Sequence, residues 1–238
     1  MNLDVLFLPR FALPGQLAGR AVAVFDVLRA TTTMAVALSR GVLEIRIFDD
    51  LDSARSAAQG GLLVGEVKAV RPADFDLGNS PVEMDSTELP LKGRTLFMST
   101  TNGTRAIVAA HEAAMIVPAA LVNAAAAARL LIEGKRDVTL VCAGTDGEVA
   151  LEDVIGAGAV AAEILRQKEG WLLSDSANLA RRLYESVRGD LRGALAESRG
   201  GRNVKAAGLE PDIDFAARLN VYDIAGRVDR GPLRVVRN

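Results

Sequence analysis

The sequence is poor in the residues that build disulfides and soft metal sites. It has one cysteine, Cys142, and one histidine, His111. A single cysteine excludes an intrachain disulfide and a cysteine-based metal site. Cys142 lies in an apolar run, so we expect a small buried core thiol, and we expect His111 to be a surface or packing residue outside any site.

Long apolar runs and an excess of charge are also absent. No stretch of 18 apolar residues occurs, and the N-terminus has neither a basic segment nor a signal-type apolar core, so we expect a cytoplasmic protein. The formal net charge is −2, which gives no general affinity for nucleic acid or an anionic membrane. With half of its 238 residues apolar, the chain can form one domain over residues 1–238, with a subdomain boundary near 168–172 as the alternative.

Several motifs of known chemistry are missing. The chain has no Gly-x-x-x-x-Gly-Lys loop, no Gly-x-Ser-x-Gly and no Gly-x-Gly-x-x-Gly after a strand, which weakens nucleotide-driven transfer, serine hydrolysis and dinucleotide redox chemistry. An Asp-x-Asp phosphatase motif is also excluded, because Leu28 stands two residues after Asp26.

Acidic residues cluster after one apolar strand. The run Val138–Ala143 predicts a buried strand, followed by a glycine-bracketed turn and a long small-residue helix. Four carboxylates lie on the predicted turn and first helical turn: Asp146, Glu148, Glu152 and Asp153. The spacing of Glu148 and Glu152 is one helical turn, and like charges at close range need a cation, so the cluster indicates a metal site. The alternative is a capping box formed by Thr145 and Glu148.

Two more acids end predicted strands. The strand 21–25 ends in Asp26, with Arg29 and Thr31 following at the start of a helix over 34–39, and the strand 62–65 ends in Glu66. Open α/β sheets place ligands at these strand ends, so both acids are candidate site residues. An N-cap with solvated neighbours is the alternative for the first position.

Polar residues precede two further predicted helices. Asn79 and Ser80 lie in a segment with little periodicity, 71–88, where they are either functional or caps of a helix begun at Pro81. After the strand 94–99, a candidate anion cradle leads into a helix over 106–113, with a plain N-cap as the alternative. The cradle consists of Thr101, Asn102, Gly103, Thr104 and Arg105. The basic patch 198–203 is either a solvated turn or a substrate contact.

Strands alternate with helices up to about residue 167, the segment 174–219 has a helical pattern, and short strands at 226–228 and 233–236 close the chain. This order predicts an α/β fold with a mostly parallel sheet between helices and a largely helical C-terminal third. The apolar faces of the alanine-rich helices are equally compatible with a core and with a homo-oligomer.

Five motifs, in this order, resemble the 2-phosphosulfolactate phosphatase family. They are Phe25-Asp26-Val27-Leu28-Arg29-Ala30-Thr31-Thr32-Thr33, Gly65-Glu66, Phe75-Asp76-Leu77-Gly78-Asn79-Ser80-Pro81, Thr100-Thr101-Asn102-Gly103-Thr104 and Ala143-Gly144-Thr145-Asp146-Gly147-Glu148. The resemblance implies a three-layer α/β fold and a magnesium-dependent phosphatase that converts 2-phosphosulfolactate to 3-sulfolactate and phosphate in coenzyme M biosynthesis. One departure is that Val67-Lys68-Ala69 stands where the family commonly has Arg-Gly-Gly after the glutamate.

On this hypothesis Mg²⁺ is held by four carboxylates: Asp26, Glu66, Glu148 and Asp153. Asp146 or Glu152 is the general base, Arg29 and Arg105 stabilise charge on the phosphate, and residues 101–104 cradle it together with Thr31, Asn79 and Ser80. An aspartyl-phosphate route through Asp26 is the rival mechanism. The alternative functions are a phosphatase for another small phosphorylated hydroxy acid and a non-catalytic anion-binding module.

Overall fold

The computed structural model describes residues 1–238 and contains ten strands and ten α-helices. The strands are β1 Asn2–Leu6, β2 Ala21–Phe25, β3 Glu44–Phe48, β4 Leu62–Gly65, β5 Thr95–Ser99, β6 Met115–Ala119, β7 Val138–Cys142, β8 Leu172–Leu173, β9 Gly226–Arg230 and β10 Leu233–Arg237. The helices are α1 Ala30–Ser39, α2 Leu51–Ala57, α3 Pro81–Ser86, α4 Gly103–Ala109, α5 Ala124–Glu133, α6 Leu151–Gln167, α7 Asp175–Val187, α8 Leu191–Glu197, α9 Arg199–Ala206 and α10 Pro211–Ala216.

The strands form two sheets of five. The first is parallel throughout, with the order β6-β2-β7-β1-β8, and the second has the order β4-β5-β3-β10-β9. In the second sheet β3, β4 and β5 run parallel, and the C-terminal hairpin β9–β10 adds antiparallel strands at the edge. The α/β class is therefore confirmed, whereas the expectation of a single sheet is wrong.

The first sheet is buried on both faces. Along β2, Ala21, Ala23 and Phe25 pack into a core shared with α5, α6 and α7, while Val22 and Val24 pack into a second core. This second core contains α1, α4 and the inner face of the second sheet. Because successive side chains of a strand point to opposite faces, one continuous apolar run serves both cores.

Several helix boundaries differ from the predicted ones. Helix α1 begins at Ala30 rather than residue 34, α4 begins at Gly103 rather than residue 106, and α6 begins at Leu151, after the acidic turn. The segment expected to lack periodic structure contains α3, and the predicted helical stretch from 174 is confirmed as α7 to α10. Next to residues 168–172 the chain adds β8, which pairs with β1 at the edge of the first sheet.

The two residue types that are nearly absent, cysteine and histidine, occupy the kinds of position that the sequence predicts. Cys142 is a free thiol buried on β7, as predicted, and burial raises the pKa of this thiol. His111 is exposed just after α4. None of the helices combines the length and the apolar character that a membrane crossing requires.

Candidate active site

A cleft of about 510 Å³ opens where strands of both sheets end. Residues that follow the carboxyl ends of β2 and β7 in the first sheet, and of β4 and β5 in the second, meet there. Its polar lining residues are Asp26, Arg29, Glu66, Lys68, Asn79, Thr101, Asn102, Thr145, Asp146 and Asn203. The candidate site therefore lies between the two sheets, at the carboxyl ends of parallel strands, where α/β folds place their ligands.

Asp26 follows β2 directly and is only 7% exposed. Its Oδ1 accepts a hydrogen bond from the Ala30 amide at 3.2 Å. The Thr31 hydroxyl donates to the Asp26 carbonyl at 2.9 Å and accepts from the Asp26 amide at 3.1 Å. Thr31 therefore fixes the backbone at the start of α1 and is not among the residues that line the cleft, and its contact with substrate stays a prediction.

Gly103 brings the start of α4 against Asp26. A Cβ atom at this glycine would lie 2.8 Å from Oδ2 of Asp26 and 2.6 Å from the Cβ of Ala30. No side chain fits into that space, because real Cβ atoms essentially never come so close to other atoms. The motif glycine thus permits the close approach of two helix starts.

Burial raises the pKa of the Asp26 carboxyl to about 7. Desolvation is the main cause, the hydrogen bond from Ala30 works against it, and the negative charges of Glu66 and Glu152 raise the pKa further. A carboxyl that titrates near neutral pH in a cleft is a candidate for binding a cation or moving a proton.

Glu66 follows β4 and holds two loops together. Its Oε1 accepts hydrogen bonds from the amide and the hydroxyl of Thr101, both at 2.8 Å. Its Oε2 accepts from the Ala69 amide at 2.7 Å. The loop before α4 and the turn after β4 are therefore fixed to a single cleft carboxylate.

The predicted anion cradle reaches the cleft only in part. Thr101 and Asn102 line it. Thr104 is buried, and its hydroxyl donates to the Thr100 carbonyl at 2.8 Å, while Arg105 is exposed and outside the lining. The helix begins three residues earlier than predicted, which turns the last three positions of the motif, Gly103, Thr104 and Arg105, into helical ones. Neither Thr104 nor Arg105 lines the cleft, so their contacts with substrate stay predictions.

Asn79 and Ser80 have different roles. Asn79 is buried in the cleft wall, and its Oδ1 has no hydrogen-bond partner. Ser80 caps α3 by accepting from the Glu83 amide at 3.1 Å, and its hydroxyl donates to Asp212 at 2.5 Å. The capping alternative therefore holds for Ser80, whereas Asn79 offers an unused acceptor to the cleft.

Arg29 is committed to a buried ion pair. Its guanidinium lies 3.0 Å from Asp212 Oδ2 and donates to the Ala69 carbonyl at 3.0 Å. The side chains of Arg29 and Asp212 are only 4% and 2% exposed. Asp212 lies 183 residues away along the chain, so no local pattern could have indicated it.

The acidic turn differs from the predicted geometry. Thr145 and Glu148 close a turn with two backbone hydrogen bonds of 2.9 and 3.0 Å, and Asp146 and Gly147 at its centre have φ of +54° and +75°. Asp146 lines the cleft, whereas Glu148 is exposed and does not. Both helical interpretations, the shared turn of Glu148 and Glu152 and the capping box, are wrong because α6 begins only at Leu151.

Glu152 and Asp153 are buried behind the cleft. Asp153 accepts from the amides of Val27 and Gly144, both at 2.9 Å, and so connects the chain after β2 with the chain after β7. Oε2 of Glu152 has no partner, and its carboxylate packs against Gly200 at the start of α9. Burial raises the pKa of both carboxyls, and for Asp153 the charges of Glu152 and Asp26 add to this effect. Neither lines the cleft, so the predicted base and metal-ligand roles do not match their positions.

Of the four carboxylates proposed as magnesium ligands, only Asp26 and Glu66 line the cleft. No group of three or more histidine, cysteine, aspartate or glutamate residues comes together in an arrangement able to hold a metal ion. Asp26 and Glu66 are the buried cleft carboxylates, with Asp146 exposed at the rim. Two carboxylates still fit Mg²⁺, which usually binds one or two of them together with waters and substrate phosphate oxygens.

Two further polar residues line the cleft, of which Lys68 was not assigned a role from the sequence and Asn203 belongs to the basic patch 198–203. Lys68 belongs to the turn after Glu66, and Asn203 belongs to α9. The basic patch at 198–203 is not a solvated turn, because Ser198 caps α9 and Gly200 and Asn203 line the cleft. The sequence signal near Lys68 is Glu66, the acid that follows β4, but this signal does not single out the lysine.

Sequence comparisons place these residues in a known group. Residues 9–231 match the family model described as 2-phosphosulpholactate phosphatase. A "probable 2-phosphosulfolactate phosphatase" of Carboxydothermus hydrogenoformans is 36% identical over 238 residues, covering 98% of this chain and 96% of that protein. Proteins of the same name from Deinococcus radiodurans and Parasynechococcus marenigrum are 40% and 39% identical, covering 92% and 89% of this chain and 90% of each relative.

Proposed function

This chain belongs to the 2-phosphosulpholactate phosphatase family, and we propose that it hydrolyses 2-phosphosulfolactate to 3-sulfolactate and inorganic phosphate. Water supplies the new oxygen on phosphorus, the bond between phosphorus and the C2 oxygen breaks, and the leaving oxygen takes a proton. The observation that carries the proposal is the position of Asp26, a buried carboxylate at the end of β2 in a cleft with Glu66, Thr101 and Asn102.

Asp26 and Glu66 are the residues that would hold Mg²⁺. Two carboxylates match the ligands that this ion prefers. When bound, the ion would neutralise phosphate oxygens and favour deprotonation of water. Glu66 is positioned for this by Thr101 and Ala69, whose hydrogen bonds fix both of its oxygens.

The remaining groups of the cleft have complementary roles. Asp146 is an exposed carboxylate at the rim of the cleft and is the candidate general base. Asn102 and Asn79 present amide groups that orient the substrate or a water molecule. Arg29 positions the turn that contains Ala69 and does not contact the substrate, because its guanidinium is paired with Asp212 and donates to the Ala69 carbonyl.

An aspartyl-phosphate route through Asp26 is the rival mechanism. Oδ2 of Asp26 accepts no protein hydrogen bond, and the start of α4 lies beside it, so this oxygen is available as a nucleophile. Acid quenching during turnover should recover no phosphorylated Asp26 if water attacks directly. Recovery of that adduct would establish the covalent route.

The first test is phosphate release from a panel of small phosphomonoesters that includes 2-phosphosulfolactate, with Mg²⁺ and with a chelator. We expect metal-dependent release that Asp26→Asn reduces roughly 10²–10⁴-fold, the usual range for loss of an acid, base or charge-stabilising group. Asp49→Asn is the matched control, because Asp49 also follows a strand but is exposed and outside the cleft.

Other outcomes would change the function. Release of phosphate only from other esters would support phosphatase activity but show that the substrate is another phosphorylated hydroxy acid. No release from any ester would favour a non-catalytic anion-binding module. A cytoplasmic location, a role in coenzyme M biosynthesis and assembly into a homo-oligomer belong to the same proposal, and the phosphate-release assay tests none of these three.

A further inference from the structure

We propose that Lys68 recognises the sulfonate of the substrate at the mouth of the cleft and thereby sets the preference for sulfonated phosphate esters. The proposal deepens the function given above and rests on it. It follows from the backbone of the turn that carries Lys68, from the contacts that fix this turn, and from the charges in the cleft.

Lys68 lies at the tip of a tight turn after β4. Val67 and Val70 close the turn with two reciprocal backbone hydrogen bonds of 2.9 and 3.0 Å. Lys68 and Ala69 at its centre have φ of +50° and +68°, in the left-handed region that glycine occupies at the least cost. Strained backbone of this kind persists where the surroundings hold it, and it clusters at functional sites.

Two residues of the cleft hold this turn in place. The Ala69 amide donates to Oε2 of Glu66 at 2.7 Å, and the Ala69 carbonyl accepts from the guanidinium of Arg29 at 3.0 Å. Arg29 is itself fixed by its buried ion pair with Asp212. The position of Lys68 relative to the cleft carboxylates is therefore determined by direct contacts on both sides of the neighbouring residue.

Lys68 is also the available cation of the cleft. Only two cationic side chains, Arg29 and Lys68, line it. Arg29 is paired with Asp212, whereas Lys68 has no ion-pair or hydrogen-bond partner and is exposed. Among the residues that line the cleft, Lys68 is therefore the one cation without an ion-pair partner that a second anionic group of the substrate meets.

The carboxylates and the lysine of the cleft lie at different depths, so they would contact different ends of the substrate. Asp26 and Glu66 are buried, and Lys68 is exposed at the rim. A phosphate placed at the buried carboxylates leaves the far end of the ester near the rim. A sulfonate keeps its negative charge at any working pH and offers three oxygens, which suits the three donors of a mobile ammonium group.

The test compares Lys68→Gln with the wild-type protein on 2-phosphosulfolactate and on 2-phospholactate, which lacks the sulfonate. We expect KM for 2-phosphosulfolactate to rise about tenfold or more, with kcat staying within about threefold of the wild-type value. A tenfold rise in KM corresponds to a loss of about 1.4 kcal/mol of binding energy. The preference for the sulfonated ester should fall by the same factor, and Lys68→Arg should restore most of it.

A second variant separates charge from backbone strain. Lys68→Gly also removes the ammonium but relieves the positive φ, so it should show the same rise in KM as Lys68→Gln. The matched control is Lys135→Gln, because Lys135 is exposed, has the same φ of +50° and lies before β7, at the end of the strand away from the cleft. This variant should keep the wild-type KM for both esters.

Three results would overturn the inference. An unchanged preference in Lys68→Gln would show that Lys68 does not bind the sulfonate. An equal loss on both esters would assign Lys68 to the phosphate, to the carboxylate or to the fold, since the two esters share the first two groups. An ester that keeps the sulfonate but lacks the carboxylate should suffer the same loss as 2-phosphosulfolactate, and no loss on that ester would also overturn the inference. If the wild-type protein hydrolyses no ester, the proposed function fails as well, whereas wild-type turnover with an unchanged preference removes this inference alone.

Discussion

Asp26 has a different affinity for protons in the folded and unfolded chain. Its pKa is 3.8 for an ordinary side chain and about 7 in the folded protein, chiefly because of burial. Between about pH 4 and pH 7 the folded chain therefore keeps a proton that the unfolded chain has lost. The free energy of unfolding falls as the pH rises through this window, so Asp26 costs stability at neutral pH where it is charged.

We predict that Asp26→Asn removes part of this pH dependence. In metal-free buffer with chelator, the stability advantage of Asp26→Asn over the wild-type protein should grow by about 1–3 kcal/mol between pH 5 and pH 7.5, since one pKa unit corresponds to about 1.4 kcal/mol. Urea unfolding at several pH values measures it. Parallel stability curves for the two proteins would contradict the raised pKa, and Asp49→Asn should leave the curve unchanged.

At the scale of elements, the pair Arg29–Asp212 connects the start of α1 with the start of α10. Asp212 also accepts the Ser80 hydroxyl that caps α3, so three helices meet at one buried carboxylate. We predict that Asp212→Ala lowers the free energy of unfolding by about 3–5 kcal/mol, because Arg29 would be left buried without a counterion. Denaturant titration followed by circular dichroism gives the value.

The same helix provides the control for this prediction. Asp214 on α10 pairs with Arg192 at 2.7 Å, but these side chains are 55% and 51% exposed. Asp214→Ala should change stability by less than about 1 kcal/mol, because solvent screens an exposed pair. Equal effects of the two substitutions would mean that the burial of Arg29 is not what makes Asp212 important.

Helices α6 and α7 pack closely at a glycine. A Cβ atom at Gly158 would lie 2.7 Å from the carbonyl carbon of Ala180 and 2.8 Å from the Cβ of Tyr184. We predict that Gly158→Ala destabilises the protein by about 1–3 kcal/mol, although alanine is the better helix former, because the two helices must move apart. A thermal melt would show the loss.

Gly189 is the counterpart of Gly158 in open space. It lies after α7, with nothing within 4 Å of a built Cβ atom, so Gly189→Ala should change stability by no more than about 0.5 kcal/mol. A melting temperature for Gly158→Ala that matches that of Gly189→Ala would contradict the close packing of α6 on α7.

At the scale of the whole molecule, local patterns were informative wherever the contacts are local. The strands 21–25 and 62–65 were predicted with the bounds that the structure has, since apolar runs and flanking turn residues are sufficient signals. The acids that end these strands do line the cleft. Two sheets instead of one, and the ion pair between Arg29 and Asp212, arise from contacts between distant residues that periodicity does not encode.

The acidic turn shows why charge patterns alone mislead. Glu148 and Glu152 have helical spacing, but Asp146 and Gly147 adopt positive φ and close a turn first. The helix then starts after Glu148, which leaves Glu148 in solvent and Glu152 in the interior. Spacing predicts a shared face only where the backbone between the two residues is helical.

The rate at which a reagent labels the buried thiol on β7 measures how often the molecule opens. Cys142 is the only cysteine of the chain and has no exposed surface, and its raised pKa keeps it protonated and unreactive at neutral pH. A thiol reagent should therefore label the native protein only when the first sheet opens. With reagent in excess, the labelling rate should approach the unfolding rate, rise steeply in urea, and be faster in Gly158→Ala than in the wild-type protein. Rapid labelling of the native protein without denaturant would contradict the burial of β7.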